Sequence, residues 1–111
     1  MDHWYTFAEL MLQRTGKFPR SVRFTISSRI DNLLLDGIEL LVEARYCSDA
    51  APALRRMNIL LEKLRFFCRL SFRQGHLSSG AYREASEMVE EAGRMVGGWI
   101  RADSGETGTA G

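Results

Sequence analysis

The chain has 111 residues, 45% of them hydrophobic, and a net charge of +1, which allows one domain with its own core and excludes two. Its two cysteines, Cys47 and Cys68, show neither metal-ligand nor disulfide-framework spacing and no secretory leader precedes them, so they are expected to be reduced thiols in a cytoplasmic protein. The longest apolar runs, such as Leu33-Leu34-Leu35, are interrupted by Asp36 and Glu39, far short of the roughly 20 residues that a membrane span requires.

Helical periodicity then divides the chain into four. A first helix is predicted over 2–15, with Trp4, Phe7, Ala8, Met11 and Leu12 on an i, i+3, i+4, i+7 stripe. Gly16 and Pro19 end it and open a short connection. A second helix is predicted over 21–46; Phe24, Ile26, Ile30, Leu33, Leu34, Leu35, Ile38, Leu41 and Val42 surround most of its cylinder, so it should be packed on more than one side. Ser48 and Asp49 offer an N-cap for a third helix over 50–74, with Pro52 tolerated in its first turn. Gly75 stops it, and Ser78 or Ser79 begins a fourth helix over 79–101. The long helices would each span roughly 33–39 Å. Short links make successive helices antiparallel neighbours. The fold class is therefore all-α, an antiparallel up-down four-helix bundle over 1–102, followed by a disordered polar tail over 103–111 (DSGETGTAG).

Charge is segregated along this frame. Arg14, Lys17, Arg20, Arg23 and Arg29 lie in a stretch with no acid, whereas Asp31, Asp36, Glu39, Glu43 and Asp49 face only Arg45. Helix three is basic again, with Arg55, Arg56, Lys63, Arg65, Arg69 and Arg73 against Glu62, and helix four is acidic through Glu84, Glu87, Glu90 and Glu91. Lysine appears only at Lys17 and Lys63; arginine, suited to bidentate phosphate or carboxylate contacts, supplies the rest. With Arg55 at 0° and 100° per residue, Arg65, Arg69 and Arg73 fall at roughly 280°, 320° and 0°. Leu54, Met57, Leu60, Leu61, Leu64, Phe67, Cys68 and Phe72 form the core face. A third sector holds Ile59, Phe66 and Leu70, which fits a subunit interface. An arginine line without acids suits phosphate tracking; salt bridges to the acidic fourth helix, or a solvated face, account equally well for the charge pattern.

In helix four, Gly93, Gly97 and Gly98 each cost about 1 kcal/mol relative to alanine. The i, i+4 pair Gly93 and Gly97 is expected to admit a close neighbour, with Trp99 closing the bundle end. No Gly-Lys-Ser/Thr follows, so a phosphate loop is not predicted. His3 and His76 are paired to no nucleophile, and the Glu-x-x-His motif of di-iron bundles is absent. The sequence thus predicts no catalytic residue, metal site, cofactor or small-molecule substrate.

Phe18-Pro19-Arg20, the run Leu61 to Leu70 (LEKLRFFCRL) and the run Gly93 to Ile100 (GRMVGGWI) resemble, in order and spacing, the accessory variability determinant proteins of diversity-generating retroelements, over about Trp4 to Arg101. The resemblance implies a four-helix bundle assembling as a homopentameric barrel. It also implies association with the element's reverse transcriptase and with RNA or DNA during mutagenic retrohoming, without catalysis by the accessory protein itself. Carried over, the family's basic motif falls on Arg65 and Arg69. The expected nucleic-acid-binding residues are then Arg65, Arg69 and Arg73, with Arg55, Arg56, Lys63, Arg14, Lys17, Arg20 and Arg23 secondary. Ile59, Phe66 and Leu70 are the expected oligomer interface. Proteins of the same fold encoded in rRNA intervening sequences are the alternative, as is a helical protein–protein adaptor that binds no nucleic acid.

Overall fold

A computed structural model describes the backbone of residues 1–110 and the side chains of 1–102; the fourth helix, expected to end at 101, continues to Ala110, through the stretch expected to be a disordered tail, of which only residue 111 lies outside the described residues. Four α-helices, α1 (Asp2–Thr15), α2 (Ser28–Tyr46), α3 (Ala51–Arg73) and α4 (Ser79–Ala110), run alternately up and down, with no strand among the described residues. The molecule is elongated, 53 × 22 × 20 Å. Each helix packs on its two chain-order neighbours and α4 returns to α1, so the four surround one core.

The periodic stripes turn inward, apart from Leu12 of α1, which is exposed. Trp4, Phe7, Ala8 and Met11 of α1 are buried with Ile30, Leu34 and Leu41 of α2, with Leu54, Met57, Leu61 and Leu64 of α3, and with Ala85, Val89, Ala92 and Val96 of α4. The ends follow local hydrogen-bonding chemistry. At the start of α3 the Asp49 carboxylate accepts from the Ala51 amide at 3.2 Å, and at the start of α4 the Ser78 hydroxyl oxygen accepts from the Ala81 amide at 3.1 Å. At the end of α3 the amides of Gly75 and His76 donate to Phe72 and Ser71, and Gly75 adopts φ +83°. This is a Schellman stop, which favours glycine.

Four further expectations are corrected. The second helix does not start at Ser21: a 3-10 turn (Arg20–Val22) and a π-helical turn (Arg23–Ser27) precede α2. Val22 and Ile26 reach the core from that segment, but Phe24 stands 85% exposed, and Leu35 and Val42 of α2 are exposed as well. An aromatic or branched residue on a wide apolar helix is left outside when the bundle has only two neighbours to offer it. Phe72, placed on the core face of helix three, lies instead at the surface and stacks on Tyr82, with ring centroids 4.6 Å apart and planes 7° from parallel. Gly93 and Gly97 admit no close neighbour. A Cβ on Gly93 would meet the Arg65 guanidinium at 3.7 Å and Leu61 Cδ1 at 4.0 Å, and one on Gly97 would meet Arg101 at 3.5 Å, all ordinary contacts. The close approach occurs at Gly37, where Trp4 crosses α2 and its indole N–H donates to the Leu34 carbonyl at 3.0 Å. Trp99 lies at the expected end of the bundle but is 40% exposed and lines an open cavity of about 380 Å³ with Met1, Leu41 and Leu54.

Candidate nucleic-acid interface

Two acid-free segments that are far apart in sequence meet at one end of the bundle. The turn after α1 carries Lys17, Arg20 and Arg23, and the last turns of α3 carry Arg69 and Arg73. The two turns are in contact: the Phe18 ring, buried, lies 5.4 Å from the His76 ring. The end of α1 is also tied to the start of α4, because Arg14 donates to the Ala81 carbonyl at 3.2 Å and pairs with Glu84. The five cations Lys17, Arg20, Arg23, Arg69 and Arg73 are all exposed, and none forms an ion pair among the described residues. The acids nearby are already engaged, Glu84 by Arg14 and Asp31 by the Thr15 hydroxyl, which donates at 2.5 Å. Exposed arginines without carboxylates present their donors to solvent and to any polyanion.

The other predicted cations are placed differently. Arg55 lies about 27 Å along α3 from Arg73 at 1.5 Å per residue, toward the opposite end. Arg56, near it, pairs with Glu43 of α2 at 3.1 Å. Lys63 is exposed at mid-length, in a groove between α2 and α3 that also holds Asp36 and Glu39. Arg65 is half-buried, with Nε 3.2 Å from the Glu62 carboxylate at an angle outside hydrogen-bond geometry, and its guanidinium lies over Gly93. Arg14 is a structural tie rather than a free cation. The ten predicted residues therefore do not form one line: Arg69, Arg73, Lys17, Arg20 and Arg23 belong to the same end of the bundle, and the remainder are dispersed or paired. The pairs made by the α3 arginines run to α2 and to α3 itself, not to the acidic α4.

The interface residues expected from the sequence are all exposed, Ile59 at 59%, Phe66 at 68% and Leu70 at 41%. Ile59 lines the groove between α2 and α3, and Phe66 lines a second groove with Arg69 and Tyr82. Sequence reasoning missed Phe24 as a surface residue, because an aromatic within an apolar helical pattern reads as core. The available signal was its company, Lys17, Arg20, Arg23 and Arg29, with no acid among them.

Among the described residues no group of three or more His, Cys, Asp or Glu side chains is placed to hold a metal ion, and no helix is long and apolar enough to cross a membrane. Burial pushes the Cys68 thiol up from 9.0 to about 11, against the opposing pull of the Arg14 charge. Such a thiol is inert at neutral pH. At the far end of the bundle the hydrogen bond from Arg94, followed by its charge, holds the exposed Glu91 carboxyl below the usual range.

A family model described as bAvd-like matches residues 2–102. Comparison with curated proteins and with solved structures gave no match.

Proposed function

This chain belongs to the bAvd-like family, accessory variability determinant proteins of diversity-generating retroelements, and on that premise we propose that it is a non-enzymatic subunit that binds the element's reverse transcriptase and nucleic acid. Residues 1–102 are the unit that does this work, in the cytoplasm, as copies joined in a ring of five through Ile59, Phe66 and Leu70. The observation that carries the nucleic-acid reading is the contact between the turn bearing Lys17, Arg20 and Arg23 and the end of α3 bearing Arg69 and Arg73, five exposed cations of which none forms an ion pair among the described residues. Phosphates bound there would displace counterions, so affinity should fall steeply with salt.

The test is binding of labelled RNA and DNA at two salt concentrations, with the Arg69→Ala/Arg73→Ala variant alongside. A log–log slope that drops by roughly 2 in the variant is expected from the loss of two phosphate contacts. A wild-type slope near zero would overturn the reading.

The adaptor reading is favoured by one observation, that Arg14, Arg56 and Arg65 already face carboxylates within the chain. It predicts that the same variant loses the reverse transcriptase while its salt-dependent affinity for free nucleic acid is that of the wild type.

A further inference from the structure

Phe24 is the most exposed of the large hydrophobic side chains, at 85%. It does not belong to a wider apolar patch. Val22 and Ile26 on either side pack against the core, while Lys17, Arg20, Ser21, Arg23 and Thr25 around it in the chain are exposed and polar. It sits in the π-helical turn Arg23–Ser27, where the Thr25 hydroxyl donates back to the Val22 carbonyl at 3.3 Å and the buried Ser27 hydroxyl finds no partner. A π-turn changes the angular spacing of side chains relative to an α-helix and is frequent at functional sites. Here it leaves an aromatic ring standing in water at the cationic end of the bundle.

We infer that this end is a site for single-stranded nucleic acid, in which the Phe24 ring is the platform for an unpaired base and Arg20 and Arg23 hold the adjoining phosphates. The inference rests on the nucleic-acid reading above and adds to it the strandedness of the ligand and the residue that senses it. One isolated ring offers too little apolar area to hold a second copy of the chain, unlike the run Ile59, Phe66 and Leu70. It is likewise too little for a membrane surface, which takes a continuous apolar helix face. Base stacking needs one exposed ring with cations beside it, and a duplex hides the base faces that a single strand offers. The four cations Lys17, Arg20, Arg23 and Arg29 within the same acid-free stretch complement a phosphate backbone.

The experiment uses the full chain and a fluorescein-labelled 12-nucleotide RNA, single-stranded or paired with its complement, titrated with wild type, Phe24→Ala, Phe24→Trp and Arg20→Ala/Arg23→Ala at two salt concentrations. Phe24→Ala should weaken single-strand binding about tenfold, the scale of one lost stacked base, with duplex affinity and salt slope unchanged. Phe24→Trp should restore it, and Arg20→Ala/Arg23→Ala should lower the slope. If wild type binds neither RNA, the underlying reading fails together with the inference. If wild type binds and Phe24→Ala binds equally well, or loses single strand and duplex alike, only the inference is overturned. A change of assembled mass by light scattering in Phe24→Ala would overturn it in favour of a subunit contact. Loss of binding to phosphatidylglycerol vesicles with RNA affinity intact would overturn it in favour of a lipid surface.

Discussion

The Trp4 indole lies against Gly37 so closely that a Cβ at position 37 would come within 2.7 Å of Trp4 Nε1. That contact, with the indole donating to Leu34, sets the spacing of α1 and α2 and makes one helical glycine obligatory. Gly37→Ala should therefore destabilise the chain by about 1–3 kcal/mol through overpacking, although alanine favours a helix by about 1 kcal/mol. Chemical denaturation measures this, and a Trp4→Phe background should recover part of the loss through the shared contact.

Gly93 should behave in the opposite sense. Its added methyl meets nothing closer than 3.7 Å, so Gly93→Ala is expected to stabilise by up to about 1 kcal/mol. A melting temperature below wild type would show that the glycine is needed for an approach by another chain.

Arg14 and Arg73 should separate stability from binding. Arg14→Gln removes the tie to Ala81 and Glu84 across α1 and α4; because both partners are partly exposed, the loss should be about 1 kcal/mol or less, with RNA affinity changing little. Arg73→Gln should do the reverse. Paired urea melts and RNA titrations distinguish the two.

The cysteines should differ in both rate and pH response. Exposed Cys47 should react with a thiol reagent within the mixing period, whereas buried Cys68 waits for unfolding. The folded Cys68 thiol ionises near 11, against 9.0 ordinarily. Below pH 9 both states keep the proton and the thiol contributes no pH dependence. Between 9 and 11 the unfolded chain loses it first, so stability falls as pH rises, by at most about 3 kcal/mol. Urea melts from pH 8 to 11 should show a shallower decline for Cys68→Ala.

Phe66→Glu places a charge in the middle of the exposed run on α3. It should reduce the assembled mass on light scattering to that of a single chain while leaving the helical signal of that chain intact, since Phe66 is 68% exposed within it. An unchanged mass would remove this side of α3 from the subunit contact.

How far the sequence was legible depended on whether the partner of each residue was local. The buried sides of α1 and α3 follow from spacing alone, because Trp4, Phe7 and Met11, or Leu54, Leu61 and Leu64, recur with the helical period and face one core. The stop at Gly75 is equally local. Gly37 was invisible because the side chain that requires it belongs to another helix. Helical glycines such as Gly93 and Gly97 are costly, yet cost does not reveal a neighbour. The basic segments were evident from charge order, but their meeting depends on the fold, and Arg14 could be distinguished from Arg73 only by finding Glu84 beside it. Phe24 was assigned inward because hydropathy cannot anticipate a π-turn.

The contact between Phe18 and His76 bears on how the end of the bundle would engage a polyanion. It joins two chain segments into one rigid multivalent surface, so a strand held by Arg69 and Arg73 would meet Arg20 and Arg23 at a high effective concentration. Loss of binding should grow faster than the number of arginines removed, and a substitution that merely loosened the two turns, leaving every charge in place, would weaken the grip as well.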